Sequence, residues 1–141
     1  MLSDMLFNKT NLPVVSKALD SAMLRSKVIA NNIANVTTPG YRRLEVSFEK
    51  ELRDALDRTR LKGSMTNEKH IALGKKDLSG VNAKAYHPND PTLPSGVNNV
   101  DIDTEMAKLA ENQIAFNYAI KFGQGIFKKM NAAIQGRSIQ S

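Results

Sequence analysis

The chain has 141 residues, no cysteine and a formal net charge of +6, with 41% hydrophobic residues but only 6% aromatics. That length is one domain's worth, and the missing cysteine excludes disulfides, thiolate metal sites and cysteine catalysis. The basic balance admits nucleic acid, an anionic surface or an acidic protein as partner, but Arg42–Arg43, Lys75–Lys76 and Lys128–Lys129 are isolated pairs, the pattern of a solvated mixed surface.

Residues 1–12 read as a short amphipathic lead anchored by Leu2, Met5, Leu6 and Phe7. The lead contains an acid and no basic segment followed by an apolar run, so a cleaved signal peptide is not expected. No stretch reaches the roughly 18–20 apolar residues that a membrane span needs. Pro13 suits the first turn of a helix, where its missing N–H would have no partner anyway, and Asn11 stands as a candidate cap. That helix is predicted to run to about Asn35 or Val36. Its apolar stripe is Val15, Leu19, Ala22, Ser26, Ile29, Ile33 and Val36, alternating steps of four and three as in a coiled-coil seam. Ala18, Ala30 and Ala34 form a second set of small residues off that stripe. Pro39 disfavours helical geometry at Thr38, and Pro39-Gly40 has the order of a type II turn.

Tyr41–Val46 is predicted extended. Ser47 is expected to cap a short helix to about Arg58, with Phe48, Leu52, Ala55 and Leu56 on one face. Regular pattern is lost from Thr59 to Asn99, where Gly63, Gly74, Gly80, Gly96, Pro88, Pro91 and Pro94 fall. This region is expected to be mobile in a free monomer, with room for short strands around Ile71–Leu73. Asp101 or Asp103 should open the last helix. Acids at Asp101, Asp103 and Glu105, and bases at Lys128, Lys129 and Arg137, both complement its dipole.

The stripe of the last helix is Met106, Leu109, Gln113, Phe116, Ile120, Gly123, Phe127, Met130 and Ile134. Gln113 and Gly123 stand where a simple core would want bulk, which favours assembly over a self-sufficient pair. Gly123 and Gly125 each cost about 1 kcal/mol relative to Ala. Close approach of another backbone would justify that; a kink is the alternative. The expected fold is mainly α: long N- and C-terminal helices pairing as a coiled-coil-like unit around an irregular middle. It would form one structural domain with regions 1–58, 59–99 and 100–141.

Nothing in the chain suggests an enzyme, a cofactor or a metal. His70 and His87 lie in loop sequence without ligand spacing, the glycines are too dispersed for a phosphate loop, and there is no G-x-S-x-G turn. Tyr41-Arg42-Arg43 is a lone aromatic–basic cluster, so no nucleic-acid partner is expected.

The specific signal is Ala30-Asn31-Asn32-Ile33-Ala34-Asn35-Val36-Thr37-Thr38-Pro39-Gly40-Tyr41-Arg42. Asparagine is a poor helix former, yet three fall in the last two turns. Asn31 and Asn35 share a face. Such amides either fix register across an interface, as buried Asn does in coiled coils, or fray the helix end before the turn. The segment resembles the N-terminal signature A-N-N-x-A-N-x-x-T-P-G-[YF] of bacterial flagellar axial proteins, and the match is complete from Ala30 to Tyr41. Phe48-Glu49-Lys50-Glu51-Leu52 resembles the helix that follows this signature. Asn98-Asn99-Val100-Asp101-Ile102-Asp103-Thr104-Glu105-Met106 resembles the family's lead-in to its C-terminal helix. The short chain is most similar to the basal-body rod proteins of the proximal rod, with another short rod subunit as the nearest alternative.

That resemblance implies a structural subunit. It would leave through the flagellar export apparatus without a cleaved signal peptide and polymerise in the periplasmic space. The product would be a hollow, torque-transmitting rod between membrane ring and hook. Partners would be further copies in a helical assembly, other rod proteins, rod–ring junction proteins and the export apparatus. Leu19, Ile29, Ile33, Phe116, Ile120 and Phe127 would pair the helices within a subunit. Asn31, Asn32, Asn35, Pro39, Gly40 and Tyr41 would set register and turn at contacts between subunits. A coiled-coil adaptor outside the flagellum and a basic nucleic-acid-binding module are the remaining alternatives.

Overall fold

The computed structural model describes residues 11–56, 78–89 and 98–136. Helix α1 spans Leu12–Ala34 and carries Pro13 in its first two positions, where no helical N–H is needed. Asn11 occupies the N-cap position but its side chain makes no capping bond. At the other end the Asn35 N–H closes onto the Asn32 carbonyl at 3.1 Å and the Val36 N–H onto the Ile33 carbonyl at 3.3 Å. The Tyr41 N–H then reaches the Thr38 carbonyl at 3.3 Å, across Pro39 and across Gly40 at φ 72°. This is the type II turn expected from Pro-Gly, with the positive φ on the residue that tolerates it.

Strand β1, Glu45–Ser47, and helix α2, Glu49–Leu56, follow the turn. Here the expected cap moves by one residue. The Leu52 N–H bonds to the Phe48 carbonyl at 2.9 Å, so Phe48 stands at the helix start, while Ser47 belongs to the strand. Burial decides this: the Phe48 ring joins Ala55 and Val81 in a small core, with Ala18, Leu52, Leu78 and Ala83 packed around it. A 3-10 turn at Leu78–Gly80 delivers Val81 to that core. Strand β2, Lys84–Tyr86, pairs antiparallel with β1 in the register Glu45 to Tyr86, Val46 to Ala85 and Ser47 to Lys84. The sequence gives no pattern for β2 because all three of its residues are exposed. The strand expected near Ile71–Leu73 lies outside the described residues.

Helix α3 runs unbroken over Ile102–Ile134. Asp101 caps it as expected: its Oδ1 accepts from the N–H groups of Asp103 and Thr104 at 3.0 and 3.5 Å, and its Oδ2 from the Thr104 hydroxyl at 2.9 Å. The Thr104 hydroxyl first, then the two main-chain donors, hold this carboxyl below its ordinary value. The basic end is less tidy than expected. Lys128 and Lys129 come before the last turn, which holds no basic residue, and Arg137 lies outside the described residues.

Helices α1 and α3 lie antiparallel, with Asn32 against Glu105, Ala22 and Ser26 against Asn112, and Val15 against Gly123. Alanine 18, off the predicted stripe, faces the Phe48 core, while Ala30 and Ala34 are exposed. Along α1 the predicted seam is the one observed at Val15, Ala22 and Ile29. Along α3 it is displaced by one residue over the first half: Glu105 and Asn112 are buried, whereas Met106 and Gln113 are exposed. Hydrogen bonding drives this choice, since both buried polar residues have partners on α1 that Met106 could not use. A Cβ on Gly123 would meet the Val15 side chain at 3.3 Å, so this glycine serves close helix approach; Gly125 has open space around it. Among the described residues no helix is long and apolar enough to cross a membrane.

Candidate functional site: a polar clamp closing the helix pair

The signature asparagines sit where α1 ends and α3 begins. Asn32 is 0% exposed. Its Nδ2 donates to the Leu44 carbonyl at 2.8 Å and to Glu105 Oε2 at 2.9 Å. Its Oδ1 accepts from the Leu44 N–H at 2.9 Å and from the Tyr41 hydroxyl at 3.1 Å. A primary amide offers two donors and two lone pairs, so every position is filled. One side chain therefore ties together α1, the extended segment after the turn, and α3.

Glu105, 1% exposed, is the charged half of this clamp. A buried carboxylate is costly unless paired and hydrogen-bonded. Besides Asn32 it has Lys108, whose ammonium stands 3.2 Å from Oε1. Lys108 also reaches Glu45 at 3.4 Å, and Glu45 meets Arg43 at 3.5 Å. Charges of alternating sign thus run from α3 across β1. The Tyr86 hydroxyl of β2 donates to Glu45 at 3.2 Å. Desolvation and then the Glu45 charge push that phenol above its ordinary value.

A second layer secures the turn. The Asn98 amide nitrogen lies 2.8, 2.8 and 3.0 Å from the carbonyls of Asn35, Val36 and Thr38. Asn35 is the C-cap of α1, and Val36 and Thr38 belong to the turn beyond it. The Arg43 N–H donates to Asn99 Oδ1 at 2.7 Å, and His87 Nδ1 donates to the Arg43 carbonyl at 3.1 Å. Within the signature, Asn35 Nδ2 donates back to the Asn31 carbonyl at 2.8 Å and Asn35 Oδ1 accepts from the Thr38 hydroxyl at 3.2 Å. Further along the pair, Asn112 Nδ2 donates to the Ala22 carbonyl at 2.9 Å and to the Ser26 hydroxyl at 2.8 Å.

Beside the clamp lies an open cleft of about 410 Å³ whose walls include Val28, Leu44, Lys108 and Glu111. Arg25 and Glu49 bridge part of it as an ion pair. Partial burial raises the Glu49 carboxyl, but the Arg25 hydrogen bond and charge, with main-chain bonds at residues 48 and 49, outweigh it and hold the group below its ordinary value. Among the described residues no group of three or more His, Asp or Glu is placed to hold a metal ion.

The residues singled out from the sequence separate into three environments. Asn32 and Tyr41 meet in the clamp, and Asn35 holds the turn beside it. Ile29 is buried, and Leu19, Ile33, Phe116 and Ile120 are half-buried along the helix pair. Asn31, Pro39 and Gly40 are exposed, and Phe127 is 51% exposed. Since all of Asn32's bonds are internal, the register it sets is that between α1, the turn and α3 of its own chain. Sequence reasoning missed Glu105, Lys108, Asn98 and Asn112 as partners. From the sequence Glu105 reads as a helix-start charge, and only the steps of three and then four residues from Glu105 to Lys108 to Asn112 hint at a polar face.

Comparison with known proteins falls on the same residues. The family model described as "Flagella basal body rod protein" matches residues 14–42, which are α1 from its first turn through Tyr41 and Arg42. The chain is 34% identical over 122 residues to the flagellar basal body rod protein FlgB of Borreliella burgdorferi, covering 83% of this chain and 90% of that protein. Against FlgB of Bacillus subtilis the identity is 33% over 86% of this chain and 91% of the relative. Against FlgB of Escherichia coli it is 30% over 84% and 88%. With identities of 30% or more over more than four-fifths of its length, the chain belongs to the FlgB family of flagellar basal-body rod proteins.

Proposed function

We propose that the chain is a structural subunit of the proximal rod of the flagellar basal body, with a mechanical and not a catalytic role. Polymerised copies and other rod proteins would form the hollow shaft that links the membrane ring to the hook and passes torque along it. The likeness to FlgB proteins across more than four-fifths of the chain carries this reading. The geometry fits it. A long antiparallel helix pair resists bending, and the clamp holds one end of the pair against sliding. Heterologous contacts that do not close would generate a tube from such units.

Several finer points belong to the same proposal. The subunit leaves the cell through the flagellar export apparatus without a cleaved leader, assembles in the periplasmic space and meets rod–ring junction proteins at its base. The exposed Asn31, Pro39 and Gly40 face neighbouring subunits, while Leu19, Ile29, Ile33, Phe116, Ile120 and Phe127 serve the helix pair. The three regions 1–58, 59–99 and 100–141 act as one structural domain. The test is deletion of the gene in its host, restoration with a tagged copy, and cryo-electron tomography of the basal body. Loss of rod and hook on deletion, with tag density at the rod base, is expected. An intact rod in the deletion strain would overturn the proposal.

A further inference from the structure

The two long helices do not end together. Val15 lies against Gly123, and Leu12 and Phe127 line one apolar groove of about 420 Å³ with Val15, Leu19, Ile120 and Gly123. α3 continues to Ile134, seven residues past Phe127 and therefore about 10 Å beyond the start of α1. Phe127, at the edge of the groove, is 51% exposed and Ile134, at the end of the overhang, 71% exposed, so both keep apolar surface uncovered.

We infer that the overhang and the groove are the docking site for the chain's own N-terminal lead, residues 2–7. Connectivity supplies the first reason. The lead precedes Asn11 and must leave α1 at Leu12, which is itself a wall of the groove. Reach supplies the second. Phe7 is five residues from Leu12 and can lie up to about 17 Å away, farther than the overhang is long. Chemistry supplies the third. Leu2, Met5 and Leu6 have the spacing of one helical face, Phe7 adds an aromatic ring, and Asp4 would come alongside Lys128 and Lys129 of α3. The occupant is thus an apolar segment of the same chain, and the docking does not depend on the rod assignment.

The absence of cysteine makes the test clean. The variant pair Leu6→Cys with Met130→Cys is oxidised in dilute full-length protein and analysed by non-reducing mass spectrometry. A control pairs Leu6→Cys with Ile114→Cys, on a helix position roughly 24 Å away along α3. An intramolecular disulfide at least tenfold more abundant than in the control is expected. Equal yields, or a product linked between two chains, would overturn the inference, the latter by assigning the groove to a second copy. Leu6→Asp with Phe7→Asp is the companion variant. Amide exchange over residues 127–134 should accelerate at least tenfold while residues 105–112 keep their protection, and unchanged exchange over 127–134 would count against docking.

Discussion

Replacing Asn32 by Ala should destabilise the subunit more than any other single truncation of a signature asparagine. The change removes the bonds to Glu105 Oε2, to both main-chain groups of Leu44 and to the Tyr41 hydroxyl. The bond to a charged, buried carboxylate contributes about 1.5–3 kcal/mol, and the neutral ones about 0.5–1.5 kcal/mol each. Leu44 and Tyr41 are only half-buried, so water can replace part of what they lose. The net loss should therefore be about 3–5 kcal/mol, a large share of the roughly 5–15 kcal/mol that small domains possess. Urea titration followed by far-ultraviolet circular dichroism should show the midpoint falling by about 2 M. Glu105→Ala and the double variant complete a cycle. If the two side chains act through their shared bond, the double change should be less costly than the sum by about 1–2 kcal/mol. A loss below about 1 kcal/mol for Asn32→Ala, or simple additivity, would refute the clamp as a unit.

Gly125→Ala meets open space in the middle of a helix and should stabilise by about 0.5–1 kcal/mol in the same titration. Gly123→Val should instead destabilise by about 1–3 kcal/mol, because its Cβ alone already stands 3.3 Å from the Val15 side chain. Val81→Ala removes buried methyl groups from the Phe48 core and should cost about 2 kcal/mol, whereas a loss near zero would mean that residues 78–89 detach freely. The Asp101 carboxyl is held below 3.8 when folded, so its capping contribution is present above the unfolded value and disappears as pH falls through the lowered one. Carbon chemical shifts at Ile102–Glu105 should move toward coil with a midpoint below 3.8, and a midpoint at or above that value would contradict the cap geometry.

The local rules of the chain were readable without the structure. Pro13 opened α1, Pro39-Gly40 closed it in a type II turn, and Asp101 capped α3, because each depends on only a few neighbouring residues. Apolar periodicity found both helices and the seam along α1. It misplaced the first half of the α3 seam, since the apolar residues Met106, Ile114, Tyr118 and Phe122 face outward while Glu105 and Asn112 face α1. A pattern that scores hydrophobicity cannot place polar residues whose burial depends on partners 73 and 90 positions away. The core residue Val81 was equally illegible, a lone valine in loop-like sequence whose role is fixed only by Phe48 and Ala55. The asparagines of the signature pose a choice between register across an interface and fraying; Asn32 does not fray, since its bonds tie α1 to Tyr41, Leu44 and Glu105 of its own chain.

Asn98 gathers the carbonyls of Asn35, Val36 and Thr38, so the stretch between Thr38 and Asn98 leaves and returns at nearly the same point. A segment fastened at both ends behaves as a closed loop. The entropy of such a loop grows only with the logarithm of its length, about 0.6 kcal/mol for each doubling. Extra chain could therefore be spliced between residues 56 and 78, away from the clamp and the Phe48 core, even as a whole folded unit, without loosening the helix pair. The latch makes the stem of the molecule indifferent to what it carries.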